Sequence, residues 1–217
     1  MTAPRQAFTR ESADARRADL IEATAAVLAE AGLAGTNVRA ICARAGVSPG
    51  LLRHYFDGID DLVAATYQAT SDRMDAIFAG AVEGAGPDPR ARLTAYLTAS
   101  FRPPVTDPEL LGAWTAFWAL ARSDARMAAI HAESYAGYRE RLGDLLVACG
   151  AEDAGRLAIM LTATVDGLWL ELSLDAASFG ADAAGKMIER ALTALLPQSC
   201  LSPAPSPAEA PQASRAP

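Results

Sequence analysis

The twenty residues from Asn37 to Phe56, NVRAICARAGVSPGLLRHYF, leave this chain few ways to fold. Asn37 is suited to cap a first helix, because its side-chain oxygen can take one of the backbone N–H groups that every helix start leaves open. Val38, Ile41 and Ala45 follow at three- and four-residue spacing and draw one apolar stripe along that helix. Gly46 stops it, since glycine enters the left-handed conformation without a side-chain penalty. Val47 plugs the corner, Ser48 is a second N-cap, and Pro49 suits the first helical position, where its missing N–H is no loss. In the helix that starts there, Leu52 and Phe56 share the core-facing side, which turns Pro49, Gly50, Arg53 and His54 outward. With a small residue at position 42 and apolar residues at 38, 41, 47 and 52, every packing site of a helix-turn-helix is filled. A plain helical hairpin within a larger all-α protein has similar spacing, so the rest of the chain has to decide between them.

The remainder reads as helix and little else. Of 13 prolines, several crowd the end, leaving long stretches rich in Ala, Leu, Arg and Glu. No run of alternating β-branched and aromatic residues marks a strand. The expected fold class is therefore all-α, with nine helices. The first runs from about Ala13 to Ala31 on the stripe Leu20, Ile21, Val27, Leu28 and Ala31, interrupted only by Thr24 and ended by Gly32. After Phe56, Asp57 or Asp60 is expected to cap a long helix to about Val82, with Leu62, Val63, Tyr67, Met74 and Phe78 inward. The stretch GAGPDPR at 84–90 is a loop, and a fifth helix runs on to Phe101, where Arg102-Pro103-Pro104 breaks it. Further helices are expected at 107–121, 124–148, 152–175 and 181–195. The final SPAPSPAEAPQASRAP has almost no apolar bulk to offset the entropy of ordering, so a disordered tail is expected.

Composition narrows the function classes. A hydrophobic content of 51% in 217 residues is ample for a buried core. The net charge of −7 argues against a nucleic-acid partner until its distribution is examined. Residues 1–56 carry seven Arg against five Asp and Glu, or +2, and the remaining residues carry −9. That positive end can hold phosphates if Arg5, Arg10, Arg16, Arg17, Arg39, Arg44 and Arg53 gather on one face. Three widely spaced cysteines, Cys42, Cys149 and Cys200, show neither a metal signature nor a disulfide framework, which fits a reducing compartment. No signal peptide is evident and no apolar run approaches bilayer length, so a cytoplasmic protein without a membrane partner is expected. Only His54 and His131 are available as histidines, with no paired-ligand spacing, nucleophile elbow or phosphate loop. An all-helical enzyme is disfavoured on that ground, and no metal or cofactor is expected. A constitutive architectural DNA binder would need no ligand cavity and would be far more basic.

The run ICARAGVSPGLLRHYFDGIDDL, from Ile41 to Leu62, set between a buttress helix and a long linking helix, resembles the TetR family of transcriptional regulators. The resemblance spans residues 10 to about 197. It implies a flexible arm over 1–12, a DNA-binding domain over 13–58, a ligand-binding and dimerisation domain over 59–197, and a tail over 198–217. Carried over by position, it implies that Ser48, His54 and Tyr55 meet phosphates while Arg39, Pro49, Gly50, Leu51 and Arg53 lie near base edges. The chemistry agrees: arginine pairs with guanine through two acceptors, and leucine or proline can touch a thymine methyl. Ile59 departs from the lysine common at the start of the fourth helix, so one phosphate contact should be missing. Cys42 replaces a common alanine, as a small buried residue.

The second half is similar to the BetI branch, whose members repress choline-to-betaine genes, through Ala113-Trp114-Thr115-Ala116-Phe117-Trp118, YAGYRERL from Tyr135 and Asp166-Gly167-Leu168-Trp169. This implies Trp114, Phe117, Trp118, Tyr135, Asp166 and Trp169 as ligand-site candidates. Trp114 and Trp118 are four apart, and Asp166 and Trp169 three apart, so both pairs can face one cavity suited to a quaternary ammonium or other organic cation. Core filling by the same aromatics, with Asp166 paired to backbone or arginine, is the competing reading. The resemblance further implies a homodimer built on helices 152–175 and 181–195. Such a dimer would hold a palindromic double-stranded operator and be released from it by a small-molecule inducer, with the long fourth helix relaying the change.

Overall fold

A computed structural model describes residues 10–175, 177 and 179–196, and among these every regular element is helical. α1 (Arg10–Gly35) begins inside the stretch expected as an arm. Its stripe tolerates the fully buried Thr24 because that hydroxyl donates to the Leu20 carbonyl at 2.7 Å. Gly32, at φ 61°, is the break expected there, and a last helical stretch continues past it. α2 (Val38–Ala45) and α3 (Pro49–Tyr55) have the expected caps. Asn37 accepts from the Ala40 N–H at 3.0 Å, Gly46 sits at φ 64°, and Ser48 Oγ accepts from the Leu51 N–H at 3.3 Å.

α4 (Ile59–Gly84) starts differently from expectation. Gly58 holds the cap position with no side-chain cap, so neither Asp57 nor Asp60 caps the helix. Instead Asp61 reaches back to accept the Asp57 N–H at 3.3 Å and pairs with Arg126 at 2.8 Å. α5 (Pro89–Thr98) ends in a 3-10 turn at Ala99–Phe101. α6 (Pro108–Ala121), α7 (Ala125–Ala148), α8 (Ala154–Leu174) and α9 (Ala181–Leu195) complete the chain. The tail expected over 198–217 and residues 1–9 of the expected arm lie outside the described residues.

Two apolar cores form. The smaller joins Leu20, Ala23 and Val27 of α1 to Ile41 and Cys42 of α2, Leu52 of α3, Phe56 after it, and Leu62 of α4. The larger is shared by α4 to α9 and takes in Leu28 of α1. Ile59, at the position where the resemblance implies a lysine, is half-buried and packs against both cores. α6 lies directly on α1 at Gly112, where a Cβ would stand 2.9 Å from Ala29 Cα and 3.0 Å from its carbonyl oxygen. No side chain larger than hydrogen fits that approach without moving a helix.

α8 corrects one expectation from composition. Its 21 residues are long and apolar enough to cross a membrane, which the absence of a conspicuous all-apolar run had concealed. Ala158, Leu161, Thr162, Val165, Trp169 and Leu172 turn inward, while Ile159, Met160, Leu170 and Leu174 are exposed on its outer side. Met187 and Leu195 of α9 are exposed as well.

Candidate DNA interface and ligand cavity

The surface offered by α3 is small and polar. Ser48, Pro49, Gly50, Arg53 and His54 are exposed, as is Arg39 on α2. Leu51 is half-buried, and Tyr55 is half-buried with its hydroxyl covered and unpartnered against the small core. His54 meets the Tyr55 ring edge-on at 5.0 Å, which fixes the imidazole on the outer side of α3. The helix is held in this pose by Leu52 and Phe56, and Arg17 lies 4.4 Å over the Phe56 ring.

The other arginines divide. Arg44 does not join a phosphate-facing group: it bonds Glu30 at 2.7 Å and approaches Glu109 at 3.8 Å, tying α2 to α1 and α6. Two nearby carboxylates outweigh exposure in setting where a flexible guanidinium rests. Arg16 pairs with Asp19, and Arg5 and the Arg10 side chain lie outside the described residues. Arg39 on α2 and Arg53 on α3 are exposed, and neither is in an ion pair among the described residues. Cys42 is buried and its thiol is pushed up by burial, which keeps it in the unreactive protonated form.

In the larger domain an inner cavity of about 60 Å³ opens between α4, α6, α7 and α8, with Trp114, Tyr135, Asp166 and Trp169 on its lining. That space suits a few waters or one small organic molecule. A second, more open cavity of about 450 Å³ lies outside it, lined by Trp118, His131, Tyr135, Asp166 and Leu170 among others. Tyr135 and Asp166 belong to both and form part of the wall between them. Trp118 Nε1–H donates to Tyr135 Oη at 3.0 Å, and Tyr135 O–H donates to Asp166 Oδ1 at 3.2 Å.

Of the six candidates from sequence, four therefore meet at the inner cavity. Trp118 lines only the outer one, because the i,i+4 offset from Trp114 carries it past the Tyr135 hydroxyl to the mouth. Phe117 lines neither: it is fully buried and stacks on Tyr67 at 4.4 Å, filling core. Sequence reasoning missed Ser71, Met74, Asp75 and Phe78 on α4, and Ser100, Ser134, Tyr138, Thr162 and Val165. Only Tyr138 carried a usable signal, lying three residues after Tyr135 on the same helix face.

Burial raises the Asp166 carboxyl to about 6, opposed by the Tyr135 hydrogen bond and the Arg139 charge. At neutral pH the group is mostly ionised and held amid aromatic faces, with Trp114 and Trp169 edge-on at 6.5 Å. Burial also pushes the Tyr135 hydroxyl up, so it stays a donor. His131 accepts or donates at 2.9 Å with Tyr67 Oη, and burial, then Arg139, hold its pKa below the usual value, favouring the neutral ring. A carboxylate among ring faces is the chemistry that retains an organic cation. Among the described residues no three His, Cys, Asp or Glu side chains gather as a metal site.

Comparison with known proteins bears on both sites. Residues 20–66 match the model of bacterial regulatory proteins of the tetR family, and residues 89–197 match that of the BetI-type transcriptional repressor C-terminal domain. The HTH-type transcriptional regulator BetI of Paraburkholderia xenovorans is 34% identical over 178 residues, covering 78% of this chain and 87% of its own. The BetI of Burkholderia thailandensis is 32% identical, covering 83% and 93%. A transcriptional regulator from Pseudomonas aeruginosa PAO1 superposes with a TM-score of 0.78 at 40% identity, covering 88% of this chain and 94% of that one. A regulator from Saccharomonospora viridis, solved in complex with choline, shares the fold with a TM-score of 0.77 at 15% identity, covering 84% and 98%.

Proposed function

The chain belongs to the TetR family of bacterial regulatory proteins and carries a BetI-type repressor C-terminal domain, and on that premise we propose that it is a cytoplasmic, non-enzymatic repressor. It holds a palindromic operator as a homodimer and releases it when a small organic cation fills the inner cavity. The observation that carries the ligand class is Asp166: a half-buried carboxylate, mostly ionised at neutral pH and hydrogen-bonded to Tyr135, in a cavity otherwise lined by aromatic, small polar and apolar side chains and by Asp75, which is already paired with Arg141. A half-buried anion that no cation contacts directly gains most from a ligand that brings a positive charge and few hydration demands. The choline complex of the Saccharomonospora viridis protein, at the level of shared fold, is in keeping with this class.

On the DNA side, Arg39, Gly50, Leu51, Arg53 and Pro49 are the proposed base-edge contacts, and Ser48, His54 and Tyr55 the phosphate contacts, Tyr55 after its hydroxyl is uncovered. The exposed apolar side chains of α8 and α9 support self-association through those two helices.

The test is a titration of the operator-bound protein with choline and with 3,3-dimethylbutan-1-ol, its uncharged carbon isostere. Release by the cation alone is the expected result. Equal effects of both, or no effect of either, would remove the cation from this reading.

A further inference from the structure

A third cavity, of about 220 Å³ against about 60 Å³ for the inner one, lies at the joint between the two halves of the molecule. It shares no lining residue with either cavity described above. Its floor is the buried Leu28 of α1, Val63 and Ala64 of α4 and Met127 of α7. Four helix boundaries meet there, so no continuous helix face covers it: α1 breaks at Gly32, α4 starts at Ile59, α6 stops at Ala121 and α7 starts at Ala125. Close-packed interiors seldom leave a void of this size over buried apolar side chains, and concave, mainly apolar spaces are where small ligands bind. At about 30 Å³ for each water-sized group, the space takes an apolar body of about seven such groups.

The rim sets the charge. Asp60, Asp124 and Arg126 are exposed around the opening. The Arg126 guanidinium is held at 2.8 Å by Asp61, which balances it. Asp124 spends Oδ1 on the Met127 N–H at 2.8 Å, and neither Asp124 nor Asp60 is in an ion pair among the described residues. The opening is therefore negative above an apolar floor. A neutral amphiphile leaves those carboxylates unanswered, and an anionic one meets like charge. We propose that this joint is a separate ligand site, for a small amphiphile with an apolar body of that size and an ammonium head. The body covers Val63 and Met127, and the head stands by Asp60 and Asp124. The inference does not depend on Asp166 or on what the inner cavity holds. A molecule seated there touches α1 and the start of α4, which carry the small core, together with α7, so it acts on the joint itself.

Two methionines report the two sites separately, because Met127 lines the joint and Met74 the inner cavity. In full-length protein labelled with carbon-13 at its methionine methyl groups, titration with n-hexylammonium should shift the Met127 methyl to saturation in the NMR spectrum. The alcohol n-hexanol should saturate it about twofold to fivefold more weakly, the discrimination that exposed carboxylates supply, and n-hexanoate more weakly still. Asp60→Asn should narrow the gap between amine and alcohol. Leu33→Trp, at an exposed position on the lining where a larger side chain leaves the fold intact, should weaken the Met127 response. Asp166→Asn should leave that response as it is. A Met127 methyl that does not move, or that moves only with Met74 and is lost in Asp166→Asn, overturns the site. Equal affinities for n-hexylammonium and n-hexanol overturn the ammonium head.

Discussion

At the scale of single residues, Asp166 carries a folding penalty that the Tyr135 hydrogen bond and the Arg139 charge offset only in part. Its carboxyl titrates at about 6 in the fold against 3.8 as the ordinary value, so the folded state holds the proton more tightly than the unfolded one. Stability from this group is therefore greatest in acid and declines as pH rises from about 4 to about 6. Asp166→Asn should melt like the wild type below pH 4 and about 6–12 °C higher at pH 7, while no longer responding to choline. A scan of melting temperature against pH checks both, and parallel curves would mean the carboxylate is already compensated. Cation affinity of the wild type should fall by up to tenfold per pH unit below about 6, as the carboxylate is protonated. Arg53 gives a second residue-scale expectation. Exposed on α3 and in no ion pair among the described residues, it is free to fork onto a base edge. Arg53→Ala should weaken operator binding by about 1–3 kcal/mol and binding to random DNA far less, at fixed salt. Equal losses on both DNAs would make it a phosphate contact.

At the scale of elements, what was legible in sequence was what is local. The caps at Asn37 and Ser48 and the left-handed stop at Gly46 are interactions within four residues, and each is found as read. The start of α4 was misread for the same reason in reverse: Asp61 is claimed by Arg126, sixty-five positions away, and no local rule shows that. The cavity was half legible. Trp114, Tyr135, Asp166 and Trp169 came from the resemblance to the BetI branch, with helical spacing as added support for all but Tyr135, whereas Ser71, Met74 and Phe78 look like ordinary residues of a long helix until α4 is packed against α7 and α8. Equally hidden was the contact of α6 with α1. Gly112 sits two residues before Trp114, so the helix that lines the cavity also touches the DNA-binding half at a point with no slack. Gly112→Ala would gain roughly 1 kcal/mol in helix propensity. Against that, a methyl at 2.9 Å from backbone costs about 1–3 kcal/mol in overpacking, and backbone cannot rotate away as a side chain can. The variant should melt lower and show altered operator affinity while still binding choline. An unchanged operator affinity would show that α6 and α1 move independently of the reading helix.

At the scale of the whole molecule, the apolar outer side of α8 is the largest departure from a self-sufficient monomer. Ile159 is 62% and Leu174 74% exposed, with Met160, Leu170, Met187 and Leu195 also open to solvent. Single exposed apolar side chains need no explanation, but six on two adjacent helices form a surface that gains from being covered. The proposed two-fold dimer through α8 and α9 would cover it with its own copy and would set two α3 helices at a fixed distance, which must approach roughly 34–36 Å to enter successive major grooves. The cavity then lies between the dimer face and the reading helix. Asp166 and Trp169 stand on α8 and Ser71 on α4, so a ligand in the cavity would touch both the proposed dimer helix and the helix that follows α3. Leu174→Glu separates the dimer from the fold. At a position so exposed, a charge should change the stability of the monomer by less than about 0.5 kcal/mol, yet in the dimer it would be buried against its own copy without a counter-ion. Sedimentation should show a shift to monomer at micromolar concentration. Operator affinity should fall towards that of a single half-site, while choline still binds each chain. A dimer that persists with operator affinity intact would place the self-association surface elsewhere on the molecule.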